Sequence, residues 1–266
     1  MNKRKHFRFI LIILFFNIFF PFENSSLDII NFNIHGFGKI IGGCNIKKKI
    51  NIILDKISSY DIILLQENWK HNDLIKDKLT KHQLIFSNHK KNFFSQSSGL
   101  FIAVKENIEI IDFNQILYND CNGIIANGND CFASKSFIFS RIKYNNKIID
   151  IYNTHLDSGN SDNDYKARSN QLDYLKKYVI KNSSNNSIII CGDFNIDYST
   201  SKEIKEFQND LNLEIVQWND SYFLDNKIDY IFYKIKFSHE MVNKDISNIL
   251  YTLSDHPPTS LSMIIK

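Results

Sequence analysis

An α/β fold is what the sequence predicts: a mixed sheet or pair of sheets with helices packed on the outside. Three observations lead there. Short apolar, β-branched runs recur along the chain and read as strands. About four helical segments are inserted between them. Hairpin connections are mixed with strand–helix–strand units, which argues against a regular parallel barrel. The 266 residues suffice for one large domain, and with three prolines and no Gly/Ser-rich or Pro-rich stretch there is no linker at which to divide it.

In chain order, residues 27–34 (LDIINFNI) read as the first strand. Ile46, Ile50, Ile53, Leu54 and Ile57 then recur at helical spacing, with Lys47, Lys48 and Lys49 placed mostly off that apolar face. Residues 61–67 (DIILLQE) form a short buried strand, and 72–81 a polar helix. Strands follow at 98–105 and 137–144, and the Asn145-Asn146 turn sends the latter back as a hairpin into KIIDIYNTH. The clearest helix covers 162–181, with Leu172, Leu175 and Val179 on one face and Asp162 or Asp164 near its start. SIIICGDFN is a strand running into a turn, and 227–233 and 259–266 are the last two strands.

The first 25 residues differ from the rest. Lys3, Arg4, Lys5 and Arg8 precede an apolar run from Phe9 to Phe20, which Pro21 and a polar stretch close. That layout predicts a signal peptide or an N-terminal membrane anchor over 1–25, and a chain secreted or anchored facing outward, with its working domain over 26–266. The segment also accounts for the formal charge of +3. Taking its four cations from the 32 basic residues leaves 28 against 29 acidic ones, about −1, so the domain itself lacks the broad basic footprint of a nucleic-acid binder. Export would permit disulfides. Cys121 and Cys131 bracket a Gly- and Asn-rich loop and are candidates for one, whereas Cys191 ends an apolar strand and reads as a buried thiol. No cysteine or histidine spacing suggests zinc.

Chemistry gathers at strand ends, where a rigid scaffold displays reactive groups. Asn33 ends the first strand and Glu67 closes IILLQE. Their oxygens suit Mg²⁺, a hard ion that takes few protein ligands, and Mn²⁺ is the alternative. His155 ends the strand with NTHL, and GDFN places Asp193 and Asn195 two residues apart beyond Gly192. Asp229 heads DYIFY, and Asp255 and His256 stand before Pro257 and Pro258, which fix an extended backbone. A histidine among carboxylates can serve as a general base near neutral pH.

QE, THL, GDFN, DYIF and SDHPP, in that order and with a first-strand Asn, resemble the endonuclease/exonuclease/phosphatase superfamily over about residues 27–266. The resemblance implies a four-layered α/β sandwich, two packed mixed sheets flanked by helices. It implies that Glu67 and Asn33 hold the catalytic Mg²⁺, with Asp255 near the metal or supporting His256. His256 would activate water, oriented by Asp229. Asp193 would help position that water, and Asn195 and His155 would steady phosphate oxygens.

The implied substrate is a phosphate ester, with no obligate protein partner evident. DCFASKSFIFSRI and the Arg168-Ser169-Asn170-Gln171-Leu172 run resemble the sphingomyelinases, although a Lys-Gly usually stands where Lys135-Ser136 is here. That reading, phospholipid head-group release, expects apolar contact with a membrane surface, with Phe93, Phe94, Trp218, Tyr222 and Phe223 as candidates. A secreted deoxyribonuclease I-like endonuclease expects cations beside the site instead, from Lys90, Lys91, Lys135 and Arg141. An inositol-phosphate-type phosphatase and a non-catalytic surface binding module complete the alternatives.

Overall fold

The computed structural model describes residues 26–36, 45–90, 95–123, 131–216 and 227–266. The predicted leader therefore lies outside the described residues, as do Phe93, Phe94, Lys91, Trp218, Tyr222 and Phe223. Among the described residues no helix is long and apolar enough to cross a membrane.

Among the described residues, twelve strands and four helices follow one another as β1 (Ser26–Asn33), α1 (Ile46–Ile57), β2 (Ile62–Gln66), α2 (Asn72–Lys78), β3 (His82–Phe86), β4 (Phe101–Lys105), β5 (Glu109–Leu117), β6 (Ser136–Tyr144), β7 (Lys147–His155), α3 (Asp162–Ser183), β8 (Ser187–Asp193), α4 (Lys202–Leu211), β9 (Glu214–Ile215), β10 (Asp229–Lys234), β11 (His239–Val242) and β12 (Thr259–Ile265). They build two six-stranded sheets, in the orders β11-β12-β1-β2-β4-β3 and β5-β6-β7-β8-β10-β9. Both are mixed, as the sequence predicted.

The sheets repeat one pattern. β1 and β2 are parallel, joined across α1, and every other pairing in the first sheet is antiparallel. β7 and β8 are parallel, joined across α3, and every other pairing in the second is antiparallel. A parallel pair needs a crossover helix, and both crossovers are amphipathic on the side facing their sheet. In α1 the buried residues include Ile50, Ile53, Leu54 and Ile57; Asn45 caps its start by accepting from Lys47 N. In α3, Leu172, Leu175 and Val179 are buried, and a reciprocal Ser161–Asp164 capping box fixes the first turn. The β6–β7 hairpin turns at Asn145 and Asn146, at φ 46° and 60°, the left-handed pair that a two-residue turn requires and Asn tolerates.

Three apolar layers result. Between the sheets lie Leu27, Ile29, Ile62 and Leu64 from one side and Ile138, Ile151, Ile189 and Ile231 from the other. Outside the first sheet α1 and α2 cover Phe32, Ile63 and Leu65; outside the second α3 and α4 cover Tyr152, Ile190 and Phe232. The molecule is thus the helix–sheet–sheet–helix sandwich expected. Cys121 and Cys131 form a disulfide and Cys191 is a buried free thiol.

One assignment is corrected. Lys49 lies on the buried face of α1 and is 3% exposed. Its stem packs with the isoleucines while Nζ reaches His35 O at 3.1 Å.

A polar clasp crosses the apolar space between the sheets. Gln66 Nε2 on β2 donates to Asn31 Oδ1 on β1 at 2.8 Å and to Asn153 Oδ1 on β7 at 2.7 Å. Asn153 Nδ2 in turn donates to Leu65 O at 3.0 Å and Phe101 O at 2.9 Å. All three side chains are buried. Replacing Asn153 by Ala leaves the Gln66 amide and two carbonyls short of partners in a low dielectric, so the Asn153→Ala chain is expected to lose about 3 kcal/mol of stability. Urea unfolding of the two proteins measures this, and a loss below about 1 kcal/mol would mean that the clasp is not what joins the sheets.

Candidate active site

Because both sheets repeat one pattern and pack face to face, the carboxyl ends of their parallel pairs lie together. Asn33 and Glu67 stand at the ends of β1 and β2, and His155 and Asp193 at the ends of β7 and β8. β12 runs antiparallel to β1 and β10 antiparallel to β8, so their beginnings lie at the same end. That brings in Asp255 and His256 just before β12, and Asp229, which pairs directly with Asp193 across β8 and β10.

The contacts cross from one sheet to the other. Asn33 Nδ2 donates to Glu67 Oε1 and to Asp193 Oδ2, each at 3.0 Å. His256 Nδ1 is 2.8 Å from Asp229 Oδ2 and 3.6 Å from Asp193 Oδ2. His155 Nε2 is 3.5 Å from Asp193 Oδ2. Donor atoms of Glu67, His155 and Asp193 lie within 4.8 Å of one another, as do those of Asp193, Asp229 and His256. Asn195 N is fixed by Asp193 Oδ1 at 2.9 Å, and its amide donates to Leu156 O at 3.0 Å.

Backbone strain concentrates here. Of the seven non-glycine residues at positive φ among the described residues, three are at the site: His35 at 45°, Glu67 at 59° and Asn195 at 50°. Glu67 in particular has no intrinsic liking for that region, so the surrounding structure imposes it. Gly192 is required for a different reason: a Cβ there would lie 2.1 Å from Thr154 O on β7, so only glycine lets β8 bring Asp193 so close to His155.

All eight predicted site residues are brought together. Asp255 differs in detail, because His256 is held by Asp229 and Asp255 turns instead to His35, whose Nδ1 is 3.0 Å from its Oδ1. The Asn33 oxygen accepts His35 N at 3.0 Å, and its second lone pair remains for a cation. His35, which the sequence reading passed over, also belongs here, and so does Lys135, which it considered only as a cation for nucleic acid. His35 adjoins both Glu67 and Asp255. Lys135, buried, donates to Leu156 O at 2.8 Å, the same oxygen that Asn195 uses. The NIHG and KSF contexts hold the only hints of either. Of the cations considered for a nucleic-acid contact, Lys90 is exposed, whereas Lys135 is buried at the site and Arg141 is bound to Asp150 at 2.7 Å and to Asn182 O at 2.8 Å. Neither forms an exposed basic groove.

Charge decides the protonation. Burial opposes a charged His256, but Asp229, Asp193 and Asp255 outweigh it and push the ring up to about 10. Burial and the neighbouring Asp229 raise Asp193 to about 6, although His256 pulls it down. Burial, with Lys135 and His256 nearby, keeps His155 neutral, so that one ring nitrogen carries a hydrogen to donate. Four carboxylates face one imidazolium, Lys135 and the partly distant Lys49, which leaves an excess of negative charge. That excess and the cluster of hard oxygen donors fit a divalent cation.

The model of the Endonuclease/Exonuclease/phosphatase family matches residues 30–256, nearly the whole span that carries these groups. The chain belongs to that family. It is accordingly a metal-dependent phosphoric ester hydrolase by class. Solved structures agree in fold. The human Nocturnin catalytic domain with bound sulfate anion is 18% identical, with a TM-score of 0.70 over 91% of this chain and 95% of that one. A beta toxin from Staphylococcus aureus with bound magnesium ions is 18% identical, at 0.67 over 91% and 100%. Sphingomyelinase C from Streptomyces griseocarneus is 16% identical, at 0.65 over 90% and 99%. No curated protein matches the sequence.

The ion-free protein should show the His256 charge directly. Its folded value stands above the unfolded one of 6.5, so its contribution to stability is complete below pH 6.5 and is lost as the pH rises towards 10. In Asp229→Asn the ring should titrate much nearer 6.5, and stability should fall less over that interval. NMR of the imidazole C–H resonances with urea melts across the range measures both; an unchanged titration would mean that Asp229 does not hold the ring.

Proposed function

We propose that the chain is an exported, Mg²⁺-dependent phosphodiesterase that releases the phosphorylated head group of a phospholipid. The observation carrying the catalytic part is the meeting of both sheets' strand ends through Asn33, which ties Glu67 to Asp193 at 3.0 Å on each side.

Glu67 and Asp255, with the remaining lone pair of Asn33, would hold the cation. When bound, it neutralises charge on the phosphate and offsets the carboxylates that hold the His256 proton. His256, oriented by Asp229, takes a proton from water as the water forms its bond to phosphorus in line with the breaking bond to the lipid oxygen, which takes a proton from solvent and leaves as the alcohol. Asp193 keeps that water positioned, beside the His256 ring. Neutral His155 and the Asn195 amide donate to phosphate oxygens, and preorganised donors of this kind stabilise the crowded transition state more than the substrate. Lys135 adds fixed positive charge behind the loop after β7.

Several features support a lipid over a nucleic acid. The domain carries about −1 once the N-terminal cations are set aside. Lys135 and Arg141 are committed inside the fold. Phe132, next to Cys131 of the disulfide, is 40% exposed, and an exposed apolar side chain suits contact with a membrane surface. The basic-then-apolar segment over 1–25 supports export.

Sphingomyelin liposomes and plasmid DNA, offered separately with Mg²⁺ or EDTA, test this. Phosphocholine release is expected, lost with EDTA and reduced about 10³-fold or more in His256→Ala and in Glu67→Gln. DNA cleavage with the same losses would replace the lipid with a nucleic-acid substrate. Release of phosphate from inositol phosphates alone would make the enzyme a phosphomonoesterase. Inactivity on all three substrates without metal binding would leave a binding module.

A further inference from the structure

Between the loop after β8 and the first turns of α3 and α4 lies a cavity of about 360 Å³, large enough for a small polar ligand. Asn195 is part of its lining, so the cavity adjoins the catalytic groups directly.

Much of its polar lining is unused. Arg168, on α3, is 2% exposed, and only Nη1 is engaged, donating to Asp157 O at 3.1 Å and to Gly159 O at 2.8 Å. The guanidinium sits over Tyr165, 4.7 Å from the ring centroid. Nε and Nη2 find no acceptor among the described residues, and neither is sealed off from the cavity that Arg168 lines. A buried cation with part of its donor fork unassigned calls for oxygen atoms from outside the chain. The same cavity offers acceptors. Glu203, in the first turn of α4, makes no hydrogen bond or ion pair among the described residues, and Asp197 uses only Oδ1, on Ser199 N and Oγ. Ser201 adds a hydroxyl, since it stands at the N-cap of α4 without capping it through its side chain.

Charge selects among ligands. A cationic group such as choline would meet Arg168, and a second anionic group would meet Asp197 and Glu203. A neutral polyol meets neither penalty. Each of its hydroxyls donates and accepts, so neighbouring hydroxyls satisfy a guanidinium and a carboxylate together. Tyr165, 54% exposed, supplies an apolar flank for the carbon ring of such a ligand.

We propose that this cavity is a head-group subsite, and that the group it takes is a polyhydroxylated alcohol, a cyclitol or a sugar, esterified to the phosphate held at Asn195. This rests on the reading of Asn195 as a phosphate donor, and it narrows the class of phospholipid. Phosphocholine has no hydroxyl to offer, so it leaves these groups unsatisfied and makes sphingomyelin the slower substrate.

Two phosphates of like charge and ring size isolate the hydroxyls: myo-inositol 1-phosphate and cyclohexyl phosphate. Each is titrated by calorimetry into the full chain with Mg²⁺, alongside phosphoserine as a zwitterionic competitor. The inositol ester should bind at least about a hundredfold more tightly than the cyclohexyl ester, because a site built to bond hydroxyls rejects the analogue that lacks them. Arg168→Lys, which keeps the charge and loses the fork, and Glu203→Ala, which removes no contact within the fold, should each cut that preference about tenfold. Vesicles holding phosphatidylinositol and phosphatidylcholine in equal amounts present both head groups on one surface, and inositol phosphate should be released at least about tenfold faster than phosphocholine. Equal binding of the two ring phosphates, tighter binding of phosphoserine, equal release from the vesicles, or a preference indifferent to both variants overturns the subsite; phosphocholine release that still depends on His256 then leaves the hydrolase reading standing. A preference for the inositol ester that both variants reduce, in a chain that cleaves no vesicle, keeps the subsite and overturns the lipid reading instead.

Discussion

The buried amide clasp between the sheets is the interaction on which the rest depends. Dispersion and apolar burial hold two flat layers together strongly but without direction, so by themselves they tolerate sliding. Gln66 reaching Asn153 across the layer, and Asn153 reaching two carbonyls of the opposite sheet, tolerate none, because a shift would strand buried polar groups. Gln66 immediately precedes Glu67, and Asn153 stands two residues before His155. The clasp is thus one residue below the floor of the site. Whatever fixes the sheets there also fixes the spacing of the groups above.

A second crossing follows from the first. Asn33 links Glu67 of one sheet to Asp193 of the other, so that a carboxylate suited to a cation and one suited to a water or proton are kept apart by a single amide. Without that donor, the half-buried Glu67 and the buried Asp193 would repel at such range. The same economy of charge explains why His256 is so basic when no cation is present: Asp229, Asp193 and Asp255 all face it. The negative charge gathered there suits a positive guest.

Strain and close packing serve this arrangement. Glu67 and Asn195 are turned into left-handed conformations just past their strands, which aims both side chains back over the sheet end. Gly192 lets β8 approach Thr154, and the shared oxygen of Leu156 gathers Lys135 and Asn195 behind His155. The disulfide at Cys121 and Cys131 closes a loop whose Asn122 N donates to the buried Asp157, so the rim beside His155 is also tied down.

What the sequence alone determined was the set of buried strands, three of the helices and the eight polar positions that the fold brings together at one end of the two sheets. Central strands read clearly because both faces are covered and the runs are apolar throughout, as in IILL and SIIIC. Each candidate site residue was legible because it is a polar group at or beside the end or the beginning of such a run. The four strands not foreseen, β3, β5, β9 and β11, are the four edges of the two sheets. An edge strand buries little and carries mixed polar residues, as β5 does along nearly its whole length, so it leaves only a weak periodicity. α4 was missed for a similar reason, since only Ile204, Phe207 and Leu211 mark its buried face. Partnership was left to the tertiary structure. Lys49 sits inside because α1 packs it beneath His35, and His35 joins the site because β12 returns Asp255 beside it. Contacts between residues some 200 positions apart have no local periodicity to announce them, and only the packing of one sheet on the other makes them.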